Sequence, residues 1–85
     1  MKKPVVYGTP ICPDCAPIRE YLDSKGFEYD YVDITEHIMN LKEFLAIRDA
    51  RSEFDNIRAN KYVGIPVLVM DDKIYFYEEI QELIK

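Results

Sequence analysis

The two cysteines, Cys12 and Cys15, stand three apart between a short apolar run and a stretch of helical periodicity. No other feature constrains the chain as much. Val5-Val6-Tyr7 is too short for a helix, and Val and Tyr favour strands. Pro4 fits the first strand position, and Gly8-Thr9-Pro10 forces a loop. Past the pair, Cys15, Ile18, Tyr21 and Leu22 share one face at spacings of three and four. Pro13 suits a first helical position and Gly26 a C-terminal stop, which predicts a helix over 13–25. Pro17 is awkward there, because it forfeits a bond to the Pro13 carbonyl. The pair thus sits where a strand hands over to a helix. Cys12 at the helix N-cap would face unpaired N–H groups and the positive dipole end, which stabilise a thiolate. That makes Cys12 the nucleophile and Cys15, within the first turn, the thiol that resolves a mixed disulfide.

The apolar pattern switches period several more times. Phe27 to Ile34 alternates as a strand with one wetter face. Residues 36–58 read as a broken helix, with one stripe through Leu41, Phe44, Leu45 and Arg48 and another through Phe54, Ile57 and Arg58. Ser52, with Asp55 after it, is the expected cap of the second piece. Val67-Leu68-Val69-Met70 and Ile74-Tyr75-Phe76 flank a turn at Asp71-Asp72 and predict a hairpin. Residues 78–85 form a last helix burying Ile80, Leu83 and Ile84. The predicted order is β-α-β-α-β-β-α. A strand–helix–strand start is parallel and right-handed, and a closing hairpin is antiparallel. The α/β fold expected is a mixed four-stranded sheet flanked by helices.

Composition narrows the function classes. With 85 residues the chain has room for one domain, 1–85. Its 48% apolar and 32% charged content is that of a soluble globular protein. A net charge of −5 with no basic block argues against nucleic acid and anionic membranes as partners. No apolar run approaches the ~20 residues of a membrane span, and Met1 to Thr9 lacks a signal-peptide core. A cytoplasmic monomer is expected. A small secreted chain would carry more cysteine pairs, and a disulfide closing so small a loop removes little chain entropy. Redox chemistry is therefore favoured over a structural bridge. Zinc wants four ligands, and the chain offers two Cys and one His, so a metal or cluster would need cysteines pooled across a dimer. An interaction domain without catalysis is the third reading, and the intact cysteine pair opposes it. Asp14, between the cysteines, disfavours a second negative charge nearby and so predicts a reductant. It can equally serve as a first-turn acid on the helix dipole. His37 reads as a surface or capping residue. Arg48, Arg51 and Arg58 read as a solvated face paired with Glu43, Asp49 and Asp55, the alternative being that they attract an acidic partner or the carboxylates of glutathione. Most of the tyrosines read as sheet packing, with Tyr7 and Tyr77 placed to approach the active loop. As an ordinary X-Pro bond, Ile65-Pro66 would be trans.

With Tyr7-Gly8-Thr9-Pro10-Ile11-Cys12-Pro13-Asp14-Cys15, Val32-Asp33-Ile34 and Gly64-Ile65-Pro66-Val67 on the page, the chain resembles small glutaredoxins over nearly its whole length. The resemblance implies a thioredoxin-like fold and a dithiol–disulfide oxidoreductase acting on protein or small-molecule disulfides. It implies that Pro66 is a cis-proline beside the active disulfide and that the Ile65 backbone pairs with an extended substrate. Thr9, Pro10 and Ile11 would form the opposite lip, with Pro13, Asp14 and Gly64 completing the substrate-binding set. No tightly bound cofactor or metal is implied. Glutathione or thioredoxin reductase would supply electrons. Three places depart from the common glutaredoxin pattern: Thr9 stands for a Lys, Asp14 for a Tyr, and Phe76-Tyr77 near a Gly-Gly pair. Bulky aromatics at the last place oppose the close backbone approach that glutathione needs, although the acids Glu78-Glu79 after them could meet an amine. The pattern is in this respect similar to glutaredoxin-like thioredoxins reduced by thioredoxin reductase. Thioredoxins also keep a buried Asp behind the active site; Val6 holds that place here.

Overall fold

In the computed structural model, which describes residues 3–85, strands and helices follow in the expected order. They are β1 (Val5–Gly8), α1 (Cys15–Ser24), β2 (Asp30–Asp33), α2 (Ile38–Ala50), α3 (Asp55–Ala59), β3 (Val67–Met70), β4 (Lys73–Tyr75) and α4 (Tyr77–Leu83). A 3-10 turn, Ser52–Phe54, joins α2 to α3. The sheet runs β2-β1-β3-β4, with β1 parallel to β2 and antiparallel to β3, and β3 antiparallel to β4. Among the described residues no helix is long and apolar enough to cross a membrane.

Period-two alternation divides the core into two layers. Val6 pairs with Leu68 and Tyr7 with Val67, so each pair faces one side of the sheet. Val6 and Leu68 pack with Ile18 and Leu22 of α1 and Ile80 of α4. Tyr7 and Val67 pack with Phe44 of α2, Phe54, Ile34 and Ile74. The cysteine loop leaves the end of β1, which is covered on both faces, so its anchor is fixed from both sides. Tyr7 donates its hydroxyl to Glu43 at 2.7 Å. Burial, then that bond and the negative charge of Glu43, push the Tyr7 phenol well above its usual range. Glu43 is thus a partner of Tyr7 and not of the arginines, and Tyr7 belongs to the core.

Several ends differ from the sequence expectation for local reasons. Helix α1 begins at Cys15, so Pro13 lies outside it and Pro17 falls in the first turn, where N–H groups have no helical partner anyway. Its C-terminus closes as a Schellman motif: Phe27 N–H reaches Leu22 O at 3.1 Å, and Gly26 N–H reaches Asp23 O at 3.1 Å. Gly26 supplies the required φ of +66°. Strand β2 starts at Asp30, so Phe27 to Tyr29 lead into it without being part of it. The Ser52 side chain caps nothing; Asp55 pairs with Arg58 instead. His37 occupies the N-cap of α2, but its side chain makes no capping bond. The arginines hold the α2–α3 junction together. Arg48 donates to Tyr62 O, Arg58 to the carbonyls of Arg48 and Arg51, and Arg51 to Glu53 and Asp72. At the hairpin, Asp71 and Asp72 both have positive φ, 52° and 64°, as a two-residue turn of the primed type requires. Phe76 lies past β4 as the N-cap of α4. In α4 Ile80 is buried, whereas Leu83 is exposed to solvent, because the helix stops there.

Phe54 ties the broken helix to the sheet. It is fully buried and meets Phe44 and Phe76 edge-on, with ring centroids 6.2 and 5.0 Å away. Phe54→Ala is expected to cost about 3–5 kcal/mol, read as a drop in the urea midpoint with the slope unchanged.

Candidate active site

The site is built where β1 gives way to α1. Cys12 N–H donates to Thr9 O at 3.2 Å, and Cys15 N–H donates to Cys12 O at 3.3 Å, which folds the loop back on itself. The N-cap of α1 is Asp14, so Cys12 lies two residues ahead of the cap and not at it, as the sequence had suggested. Pro13 spends its fixed φ on the turn before the helix. Asp14 is exposed, and its side chain makes no capping bond.

The two sulfurs have different surroundings. Cys12 is half-buried, while Cys15 is 1% exposed. Both are free thiols. Burial, then a thiol hydrogen bond to Cys12, push the Cys15 thiol up to about 12, with the charge of Asp14 a smaller contribution. Cys15 therefore keeps its proton behind the more accessible sulfur. Gly8 makes room for this burial. A Cβ there would stand 2.7 Å from the Tyr31 hydroxyl and 3.0 Å from Cys15 Sγ, so the tyrosine and the thiol would have to shift. Burial, then the neighbouring Cys15, push the Tyr31 phenol up to about 12, and Arg19 lies 3.8 Å over its ring.

A hydrogen-bonded chain braces the loop. Thr35 donates its hydroxyl to Asp33 at 2.6 Å, so Thr9 must donate to Thr35 at 2.8 Å, and Ile11 N–H approaches the Thr9 oxygen at 3.5 Å. The bonds from Thr35 hold the Asp33 carboxyl below the usual carboxylate range. Thr9 is thereby buried, and the loops after β1 and β2 are tied to each other.

Facing Cys12 across a groove of about 500 Å³ is the segment leading into β3. The Ile65-Pro66 peptide is cis. This overturns the trans reading of the bare dipeptide and agrees with the resemblance; the general trans preference describes X-Pro bonds at large, not this turn. Gly64 has φ +100°, and a Cβ there would meet Ile57 and Phe54 at 3.1 Å. Only glycine fits both conditions. Ile65 N–H and C=O make no hydrogen bond within the chain among the described residues.

Of the residues singled out from sequence, Thr9, Ile11, Cys12, Asp14, Gly64, Ile65 and Pro66 line the groove. Pro10 does not; it borders a shallow hollow with Arg19 and Tyr31. Pro13 and the buried Cys15 also lie outside the lining. The sequence reading missed Ile57, Tyr62 and Val63. They form a wall because α3 ends in a second Schellman motif. Tyr62 N–H reaches Ile57 O at 2.9 Å, Lys61 N–H reaches Arg58 O at 3.1 Å, and Lys61 sits at φ +60°. A lysine in that role gives no signal that glycine would have given. Phe76 and Tyr77 close the groove. Among the described residues, no group of three or more His, Cys, Asp or Glu side chains gathers in metal-binding proximity.

A thioredoxin-like fold with a strand–Cys-x-x-Cys–helix unit facing a cis-proline defines the class. Solved structures agree. The thioredoxin-like protein BC3987 matches with a TM-score of 0.67 at 23% identity, covering 95% of this chain and 94% of that one. A mutant of the same protein matches with a TM-score of 0.69 at 25% identity over 98% and 91%. Residues 5–75 match the glutaredoxin family. An uncharacterized protein of Haemophilus influenzae is 46% identical over 70 residues, 82% of this chain and 81% of its own length. An uncharacterized glutaredoxin-like 8.6 kDa protein from a rubredoxin operon of Clostridium pasteurianum is 32% identical over 94% and 95%. The chain belongs to the glutaredoxin family.

The asymmetry of the two thiols has a direct readout. At pH 7, iodoacetamide is expected to alkylate Cys12 and leave Cys15 intact, as located by peptide mass mapping. Cys15 labelling should rise only as pH climbs from its ordinary value of 9.0 toward about 12. The same shift has a sign for stability: the folded state favours the protonated thiol. That contribution is complete below pH 9 and is lost as pH rises through about 12. Equal labelling of both cysteines at pH 7 would contradict the geometry.

Proposed function

We propose that this protein is a dithiol–disulfide oxidoreductase that reduces disulfides through Cys12 and Cys15. The observation that carries the reading is the pairing of an accessible sulfur at a groove with a buried, protonated one behind it. The Cys12 thiolate attacks one sulfur of a substrate disulfide. The substrate S–S bond breaks, a mixed disulfide forms, and the other substrate sulfur leaves and takes a proton. Cys15 then loses its proton and attacks Cys12 Sγ. The mixed disulfide breaks, the second substrate thiol leaves, and the protein retains a Cys12–Cys15 disulfide. The substrate gains two electrons and two protons, and the protein loses them.

The groove supports strand-like docking. Ile65 has a free N–H and C=O beside Cys12, and an extended substrate can pair with them. Thr9 and Ile11 line the opposite side. The charge of Asp14 beside the pair disfavours thiolate and so favours a reductant over an oxidant. Glutathione or thioredoxin reductase returns the two electrons, and the protein works as a cytoplasmic monomer without a bound cofactor or metal.

The mechanism divides the cysteines by their variants. With an insulin or dithiodipyridine substrate, Cys12→Ser is expected to abolish turnover. Cys15→Ser should stop after the first step and accumulate a mixed disulfide, visible as an adduct in intact-mass spectra. Retained turnover in the Cys12 variant would overturn the proposal.

A further inference from the structure

The chemistry of the groove wall carries the reading further. Ile11 is 80% exposed, Tyr62 65% and Val63 53%, and all three line the same groove as Cys12. Single exposed apolar residues are ordinary, but three converging on a nucleophile mark a surface that is covered during use. Ile57, Phe76 and Tyr77 extend the same apolar wall.

Charge points the same way. Among the described residues, the ionisable side chains along the groove are Cys12, Asp14 and the two tyrosines, Tyr62 and Tyr77, and no Lys, Arg or His lines it. The arginines of the nearby α2–α3 junction are engaged. Arg48 donates to Tyr62 O, Arg51 to Glu53 and Asp72, and Arg58 to Asp55. Glu79 is engaged too, accepting from Phe76 N–H at 3.2 Å at the start of α4. A ligand such as glutathione, with two carboxylates and one ammonium group, finds no cation among the lining residues; Lys61, next to Tyr62, is exposed but outside the lining. It meets one carboxylate, Asp14, on a chain that already carries −5. An extended polypeptide brings no such charge, and its backbone meets the free N–H and C=O of Ile65.

We propose that the groove selects protein disulfides in extended segments whose cysteine is flanked by a bulky apolar side chain, and discriminates against glutathione disulfides. This rests on the dithiol reading above. The apolar side chain docks on Tyr62, Val63 and Phe76 while Cys12 attacks the adjacent sulfur. Tyr62 and Val63 act as specificity residues and take no part in the bond exchange.

The test is single-turnover reduction by the dithiol form of the full chain, with no electron donor added. The substrates are symmetric disulfides of one extended peptide in which Leu, Ser or Asp precedes the cysteine, oxidised glutathione, and dithiodipyridine. The Leu peptide is expected to react about 10–100-fold faster than the Asp peptide and than oxidised glutathione, with Ser between. Val63→Lys should shrink the Leu-over-Asp preference by about tenfold, with circular dichroism confirming the fold. Equal rates for the three peptides, or oxidised glutathione as the fastest substrate, overturn the selectivity while leaving the dithiol reading intact. Failure to reduce even dithiodipyridine overturns the dithiol reading, and the selectivity with it.

Discussion

The burial of Cys15 against the end of β1 is the constraint on which the rest of the site depends. Strand β1 is covered on both faces, by α1 and α4 on one and by α2 and Phe54 on the other. The first turn of α1 must therefore pack close to its last residue. Gly8 allows that approach, because any Cβ there would strike the Tyr31 hydroxyl and Cys15 Sγ. With Cys15 held in, the turn through Pro13 leaves Cys12 facing outward. The division of labour between the thiols thus begins in sheet packing. Desolvation keeps the inner thiol protonated, and access to solvent makes the outer one available.

The opposite side of the groove has its own determinants. Gly64 packs on Phe54, the same ring that joins α2, α3 and α4 to the sheet. The segment that presents Ile65 and Pro66 is in this way anchored to the second core layer. The arginines of the α2–α3 junction contribute to the architecture and not to ligand charge. Arg58 satisfies the Arg48 and Arg51 carbonyls that the break after α2 leaves open, and Arg48 satisfies the Tyr62 carbonyl past α3. The groove is left mostly apolar, with Asp14 as the one carboxylate among its described lining residues.

Much of this was legible in the amino-acid sequence, and the reasons are local. Cys12 and Cys15 announce themselves by spacing and by the switch from strand to helix periodicity. Gly26 and the Asp71-Asp72 turn were readable because glycine and aspartate tolerate positive φ. The break after α2 showed in the two offset apolar stripes. What escaped depends on tertiary contacts. Helix α1 starts at Cys15, one turn past Cys12, because the loop first closes through Thr9 and Cys12 backbone bonds. Tyr62 and Val63 reach the groove through a left-handed Lys61, a residue type that carries no turn signal. The cis state of Pro66 came from family resemblance, since the dipeptide alone points to trans. Leu83 continues the apolar stripe of α4 yet is exposed, because periodicity does not say where a helix runs out of partner.

The proposed chemistry requires Cys12 and Cys15 to act as one two-electron unit. It is tested most directly by equilibrating the protein in dithiothreitol buffers of graded redox ratio, quenching with acid and trapping free thiols for intact-mass analysis. A single transition is expected, in which both cysteines lose the label together and the unlabelled species lacks two hydrogens. Independent loss of label at the two positions, or a protein that stays fully reduced across the series, would contradict it.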